Sequence, residues 1–350
     1  MTRCTAEHRA HANAAGRADT LATVDMSLFF AGTAGSVPSA RRGLPALLVR
    51  RGADRILIDC GEGTQRQLVR SVGLTDLTDI FITHLHADHW LGLPGMLKSF
   101  ELRDRDKPLT VHGPPGTSAF LERLRPVFGR PRYGLTLRDL EPEEAVRRGD
   151  LEIVPFAVRH RTIAFGYALI EDTRPGRFDA ELAELLGVTP GPDFGRLQRG
   201  ERVAGVDPEQ VVGEARAGRK VVVTGDTAPT DAVVIAAHRA DVLVHEATFA
   251  DEDAARAAQT GHSTARQAAQ VAADAEVRLL ALTHLSSRYV PSQIRDEARE
   301  VFADTEVPRD FDTIDIPLPE RGAPRLRRWT SQSAAEPARG GLSRPLQAPA

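Results

Sequence analysis

Cysteine is almost absent. Cys4 and Cys60 are the only two in 350 residues, too few for a disulfide framework in a chain this long or for a thiolate zinc site. Any metal must therefore be held by histidines and carboxylates. Lysine is nearly as scarce, at 98, 107 and 220 only; every other basic residue is arginine, which reads as compositional bias of the source genome. No apolar run approaches the ~18–20 residues of a membrane span, which excludes a helical membrane protein. The N-terminal stretch MTRCTAEHRAHANAAGRADTLATVD lacks the apolar core of a secretory signal, so a cytoplasmic location is expected. Nor does one sign of charge dominate. A net charge of −3 argues against wrapping nucleic acid over the whole surface and leaves room for a local basic patch.

What is present suffices for a sizeable core, with 41% hydrophobic residues. No Ser/Gly linker divides the chain. Apolar β-type runs alternate with helical patterns between Met26 and residue 322, so a single α/β unit is expected there. Residues 1–25 are expected to be a disordered N-terminal extension. Residues 323–350, rich in Arg, Pro, Ser, Ala and Gly, are expected to be a disordered tail. Strands are predicted at Ala46–Arg50, Arg55–Asp59, Asp79–Thr83, Leu109–His112, Leu151–Val158, Phe165–Ile170, Lys220–Thr224, Val242–His245 and Leu279–Thr283. Helices are predicted between them. Several strands end directly in a polar residue of catalytic type, where α/β proteins usually bind ligands.

The densest chemical signal is Thr-His-Leu-His-Ala-Asp-His at 83–89. It offers four potential ligands in six residues, between the apolar run Ile80–Ile82 and a helix. Alternation puts His84 and His86 on one side of an extended segment, with Asp88 and His89 at the turn into the helix. A helix cap would explain Asp88 but gives no reason for three imidazoles to converge, so a metal site is expected. Two ions need more donors than one loop provides. His160, Asp226 and His284 each follow a strand and are the candidates. His112 reads as a turn residue, His238 as a helix-end residue and His245 as structural. His8 and His11 fall outside the expected fold.

THLHADH with the later His160, Asp226 and His284 resembles the metallo-β-lactamase superfamily. The segments FAGTAGSVP, IDCGEGTQRQL, the GLPG extension of the histidine loop, TGDT, HEATF, GHST and LTHLSSRY are similar to its ribonuclease Z branch, over residues 26–322. The resemblance implies an α/β fold, an αββα sandwich with a protruding arm insertion. It also implies two zinc ions per subunit: His84, His86 and His160 on one, Asp88, His89 and His284 on the other, with Asp226 bridging. Manganese or iron would suit the same nitrogen and oxygen donors. Two cations roughly 3.5–4 Å apart would promote in-line hydrolysis of a phosphodiester. Asp88 is implied as proton acceptor. His262, oriented by Glu246, is implied as proton donor to the leaving oxygen, because a carboxylate partner keeps an imidazole protonated near neutrality.

The long segment 172–202 is identified with the arm that clamps precursor tRNA, and Arg196, Arg199 and Arg202 are candidates for phosphate contacts. A solvated loop of mixed charge is the alternative, because Glu181, Glu184 and Glu201 dilute that patch. The branch is commonly homodimeric. One departure is plain: where the branch has a PxKxRN loop, this chain reads Pro38-Ser39-Ala40-Arg41-Arg42-Gly43, keeping one basic residue in Arg42. The expected function is a metal-dependent endoribonuclease that trims the 3′ trailer of precursor tRNA. The alternative keeps the fold and takes a small ester: an arylsulfatase, a cyclic-nucleotide phosphodiesterase or a thioester hydrolase.

Overall fold

A computed structural model describes residues 25–330. The apolar runs form the strands of two sheets. β1 (Met26–Gly32), β2 (Ala46–Arg51), β3 (Asp54–Ile58), β4 (Asp79–Phe81), β5 (Leu109–Gly113) and β6 (Leu135–Asp139) build most of the first sheet. The second consists of β7 (Val146–Arg148), β8 (Leu151–Ala157), β9 (Phe165–Glu171), β10 (Lys220–Val223), β11 (Val242–Glu246), β12 (Leu280–Thr283) and β13 (Thr305–Glu306). Then β14 (Thr313–Ile316) and β15 (Arg325–Arg327) return to the edge of the first sheet, giving the orders β15-β14-β1-β2-β3-β4-β5-β6 and β13-β12-β11-β10-β9-β8-β7.

The sheets pack face to face. Leu28, Phe30, Val49, Ile56 and Phe81 of the first meet Ile153, Tyr167, Leu169, Val221 and Val244 of the second in one buried cluster. The Tyr167 hydroxyl donates to the Ile82 carbonyl across the interface at 2.7 Å. On the outer face of the first sheet, Phe29, Leu48, Leu57 and Ile80 are covered by Leu68, Met96, Leu97 and Leu121 from helices Thr64–Val69, Leu93–Leu102 and Thr117–Arg123. On the second, Val222, Leu243 and Leu280 lie beneath an alanine-rich helix, Ala265–Asp274, and helices Asp231–Ala237 and Pro291–Arg299. The small side chains let the helices approach the sheet closely. The result is the expected αββα sandwich.

β3 to β6 run parallel, as do β10 to β13. The carboxyl ends of β4, β10, β11 and β12 therefore open towards one rim. The opposite end is fastened by a buried ion cluster. Glu171, at the end of β9, accepts from Arg51 Nε at 2.5 Å and from Arg219 Nε and Nη2 at 2.7 and 2.6 Å, while Arg219 Nη1 donates to the Ile316 carbonyl. That cluster ties β2, β9 and β14 together. Burial works against the charged form of Glu171, but its hydrogen bonds from Arg219 and Arg51 prevail and hold it at about 2.

Two expectations need correction. Residues 323–330 are not disordered: β15 pairs antiparallel with β14, and the Trp329 ring contacts Phe29 and Phe311 at centroid distances of 6.4 and 5.6 Å. The charged sequence hides this because isolated residues, Leu326 and Trp329, rather than an apolar periodicity, anchor the segment. Residues 331–350 and 1–24, the rest of the two expected disordered ends, lie outside the described residues. The insertion also reaches further than 172–202. Ala183, Val188 and Leu197 share a small core of their own with Val203, Val206 and Val211, and the bridges Arg174↔Arg216 and Phe178↔Val212 close its base. The returning half is thus part of the same unit.

Replacing Glu171 by Gln leaves two buried guanidinium groups facing an amide, so E171Q is expected to destabilise the fold by about 3–5 kcal/mol in urea unfolding at pH 7. The Glu171 contribution should be full above its unfolded pKa of 4.5 and decline as pH falls towards about 2. Equal unfolding midpoints for the two proteins at pH 7 would contradict this.

Candidate metal centre

All seven expected ligands converge at the rim. His84 and His86 follow β4, and Asp88 and His89 sit in the short helix Ala87–Trp90. His160 follows β8, Asp226 follows β10, and His284 follows β12 with φ at 56°. Three groupings place one donor atom from each member within 4.8 Å of the others: His84, His86, His160 and Asp226; Asp88, His89 and His284; and Asp226, His262 and His284. Asp226 stands between the first two, its Oδ2 3.7 Å from His84 Nε2 and 3.4 Å from His89 Nε2, its Oδ1 3.3 Å from His284 Nε2.

The surrounding hydrogen bonds decide which imidazole nitrogens carry lone pairs. His160 Nδ1 lies 2.8 Å from the Gly261 carbonyl and His89 Nδ1 2.7 Å from Asp59 Oδ2. A carbonyl and a carboxylate only accept, so both Nδ1 atoms carry a proton and both Nε2 atoms point at the cluster. Although burial opposes it, Asp226 and Asp59 push His89 well above the usual imidazole range, so a cation bound there would take the place of its Nε2 proton. The Thr83 hydroxyl donates to Asp59 at 2.9 Å and hence accepts from His84 Nδ1 at 3.0 Å. Thr248 repeats the device. Its hydroxyl donates to Glu246 Oε2 at 2.6 Å and accepts from His284 Nδ1 at 2.8 Å. Four Nε2 atoms therefore face one another and Asp226.

Such a cluster fits divalent cations and little else. His86 Nδ1 lies 2.9 Å from His84 Nε2 and 3.2 Å from His160 Nε2, and a single proton there can serve one neighbour, whereas a cation serves three. His89 Nε2 and Asp226 Oδ1 are buried with no hydrogen-bond partner, an arrangement that costs about 1–3 kcal/mol per atom unless a ligand satisfies it. Burial and the neighbouring His89 hold His84 well below the usual imidazole range, and burial with His160 lowers His86. Both are thereby kept neutral, as ligands must be. Asp88 and Asp226, although burial works against their charged forms, are held well below the carboxylate range by the surrounding imidazoles.

Asp88 does not cap its helix; its Oδ2 accepts from the Ser36 amide at 2.9 Å and faces His284 Nε2 at 3.4 Å. Glu246 and His262 come together as expected, with Glu246 Oε1 2.7 Å from His262 Nδ1. The helix that follows is capped by Thr264, leaving His262 free of that duty. Its side chain is 11% exposed beside the cluster, with its ring 5.0 Å from that of His160 and 5.5 Å from that of His284. Burial works against its charged form, but the Glu246 carboxylate prevails and pushes it up to about 9.

Sequence reasoning missed three orienting groups: Asp59, Thr248 and the Gly261 carbonyl. Asp59 and Thr248 lie in the segments IDCGEGTQ and HEATF, which mark where such groups belong without saying what they touch. His112 is not a turn residue; it is buried, with Nε2 2.9 Å from Asp79, itself paired with Arg148. Arg42 does not point to the rim. Its Nη1 donates to Thr33 Oγ1 and to the Pro308 carbonyl.

This architecture and site are those of a superfamily with known members. Residues 54–178 and 192–285 match the beta-lactamase superfamily domain, and the unmatched residues 179–191 fall inside the insertion. The fold and the rim of histidines and carboxylates thus define a metallo-β-lactamase-type protein. More narrowly, the chain is 48% identical over 304 residues to ribonuclease Z of Haloferax volcanii, covering 84% of this chain and 96% of that protein. It is 44% identical over 301 residues to ribonuclease Z of Gemmatimonas aurantiaca, covering 83% and 96%. Human tRNase Z, short form, superposes with a TM-score of 0.62 at 28% identity, covering 83% of this chain and all of that one. The chain belongs to the ribonuclease Z family.

Replacing Glu246 by Gln removes the charge that raises His262. In E246Q the His262 pKa, followed by its imidazole NMR resonances, should fall from about 9 towards or below the ordinary 6.5. An unchanged titration would show that Glu246 does not set it.

Proposed function

We propose that this protein is a zinc-dependent endoribonuclease that removes the 3′ trailer from precursor tRNA, working in the cytoplasm as a homodimer. His84, His86 and His160 would hold one zinc ion and Asp88, His89 and His284 a second, with Asp226 shared between the two groups. The observation that supports this reading is the set of imidazole Nε2 atoms aimed at Asp88 and Asp226, with His89 Nε2 and Asp226 Oδ1 buried and lacking a hydrogen-bond partner among the described residues, in a chain of the ribonuclease Z family. Bound there, two divalent cations supply Lewis-acid polarisation of the phosphoryl group and a water acidic enough to attack at neutral pH.

The chain's own groups do the rest. Asp88, fixed by the Ser36 amide, takes the proton of the attacking water. That water forms the new P–O bond in line as the bond to the 3′-oxygen breaks. His262, kept charged by Glu246, donates its proton to that leaving oxygen. The products are a tRNA with a 3′-hydroxyl and a trailer with a 5′-phosphate. No helix among the described residues is long and apolar enough to cross a membrane. Exposed Val69, Leu91 and Leu102 on the helical layer of the first sheet suit contact with a second copy.

The insertion is read as the arm that holds tRNA at a distance from the site. Its arginines are not free: Arg196 pairs with Asp193 and Glu201, Arg199 with Glu201, and Arg202 with Asp207. Phosphate must compete with those acids. Arg41, Arg159, Arg161 and Arg288, by contrast, are exposed and carry no ion pair among the described residues; Arg159, Arg161 and Arg288 lie close to His160 or His284 in sequence, and Arg41 is in the loop that touches His284 and Asp88. They suit the RNA backbone near the scissile bond.

A precursor tRNA with a 3′ trailer should be cut to a mature-length product, and the cut should be lost with a chelator. Replacing Arg177–Gly213 by a short Gly linker should abolish RNA cleavage and spare hydrolysis of bis-p-nitrophenyl phosphate. Cleavage of the small ester alone by the full protein would favour the small-ester alternative, and undiminished RNA cleavage after the deletion would refute the arm.

A further inference from the structure

Asp310 lies 26 residues beyond the last expected ligand, in the loop between β13 and β14, and nothing in its sequence neighbourhood marks it. Its side chain nevertheless gathers three distant segments. Oδ1 accepts from the Thr33 hydroxyl at 2.7 Å; Oδ2 accepts from the Gly43 amide and from Gln67 Nε2, both at 2.6 Å. Arg42 closes the ring, donating to the same Thr33 oxygen at 2.6 Å and to the Pro308 carbonyl at 2.9 Å. Thr33 is fully buried. With its hydroxyl proton given to Asp310, its oxygen is free to accept from Arg42.

The loop held in this way, Thr33 to Gly43, is the one that touches the second group of ligands. The Thr33 and Ala34 amides donate to the Gly43 carbonyl, so the hub fixes both ends of the loop. On its other side, Leu285 N donates to the Thr33 carbonyl at 3.0 Å and Gly35 N to the Leu285 carbonyl at 3.1 Å, pinning the residue that follows His284. Gly35 packs so tightly on the His284 ring that a Cβ there would lie 2.5 Å from Nδ1. The next amide, of Ser36, donates to Asp88. Two of the three ligands of that group therefore take their placement from a loop whose anchor is Asp310. The other group, His84, His86 and His160, makes none of these contacts.

We propose that Asp310 is a positioning residue for one metal ion only, the one held by Asp88, His89 and His284, through the Thr33–Gly43 loop. The C-terminal strap backs it: Arg328 pairs with Asp312 at 2.7 Å, and Trp329 packs on Phe311, holding the loop on which Asp310 stands. This rests on the two-ion reading above.

The test is stepwise zinc competition against a chromophoric chelator with the full chain, together with thermal unfolding and precursor tRNA kinetics. D310A should weaken one zinc by tenfold or more, leave the other within twofold, and lower kcat with KM for precursor tRNA within twofold. D310N retains an oxygen that accepts from Gly43 and should recover most of the loss. Should D310A unfold, the near-isosteric T33V replaces it: T33V should weaken the same single zinc, and T33S, which restores the hydroxyl, should not. H284A is the reference and should lose that zinc outright. If D310A and T33V bind both zinc ions as the parent does while H284A loses one, or if they weaken both ions equally, the positioning role is overturned and the ligand assignment stands. If the parent binds no second zinc, or H284A keeps both, the two-ion reading fails and takes this proposal with it.

Discussion

The fold depends chemically on how the second nitrogen of each histidine is occupied. Gly261, Asp59, and the hydroxyls of Thr83 and Thr248 take the Nδ1 protons of His160, His89, His84 and His284. The two hydroxyls can accept because each has already given its own proton to a carboxylate. The proton chain therefore has one direction, and it aims four Nε2 atoms at the cluster around Asp226. Partners of this kind fix ring orientation and raise ligand basicity. A buried collection of lone pairs and carboxylates would be severely destabilising as a mere polar core, which is why it marks a cation site.

The two sheets serve this cluster from opposite ends. At the far end the Arg51–Glu171–Arg219 group locks β2, β9 and β14, so the sandwich cannot splay there. At the rim the parallel strands deliver their carboxyl ends side by side, and ligands separated by up to 200 positions in sequence meet. Charge is graded across the rim. The carboxylates that face the histidines are held ionised, while His262, backed by Glu246, is held protonated. Acid and base are thus poised at neutral pH by neighbours and not by exposure. The Asp310 ring adds a support from a third direction, on the loop that contacts Asp88 and His284.

Much of this was legible in the sequence, because strand followed at once by His or Asp is a local pattern. The histidine loop, His160, Asp226 and His284 were singled out by it, the Glu246–His262 pair by the family resemblance, and the structure brings these side chains together. What escaped was tertiary. Asp59 follows β3 and reads as no more than the end of a strand until it meets His89, 30 positions on. Arg42 reads as a rim cation, yet its side chain turns inward because Thr33 and the Pro308 carbonyl offer two acceptors. β15 has no apolar period, and its docking comes from Leu326, Trp329 and the pairing with β14. The arm was seen as a long insertion, but its returning half was missed, since Val203, Val206 and Val211 reveal their role only against Ala183 and Leu197. In each case the deciding contact lies outside any window of sequence.

The most direct measurement is X-ray absorption at the zinc edge of the purified protein. Nitrogen and oxygen neighbours only, imidazole multiple scattering and a metal–metal vector of roughly 3.5–4 Å are the predicted result. A sulfur shell, or zinc with no second metal at that distance, would contradict the account at its root.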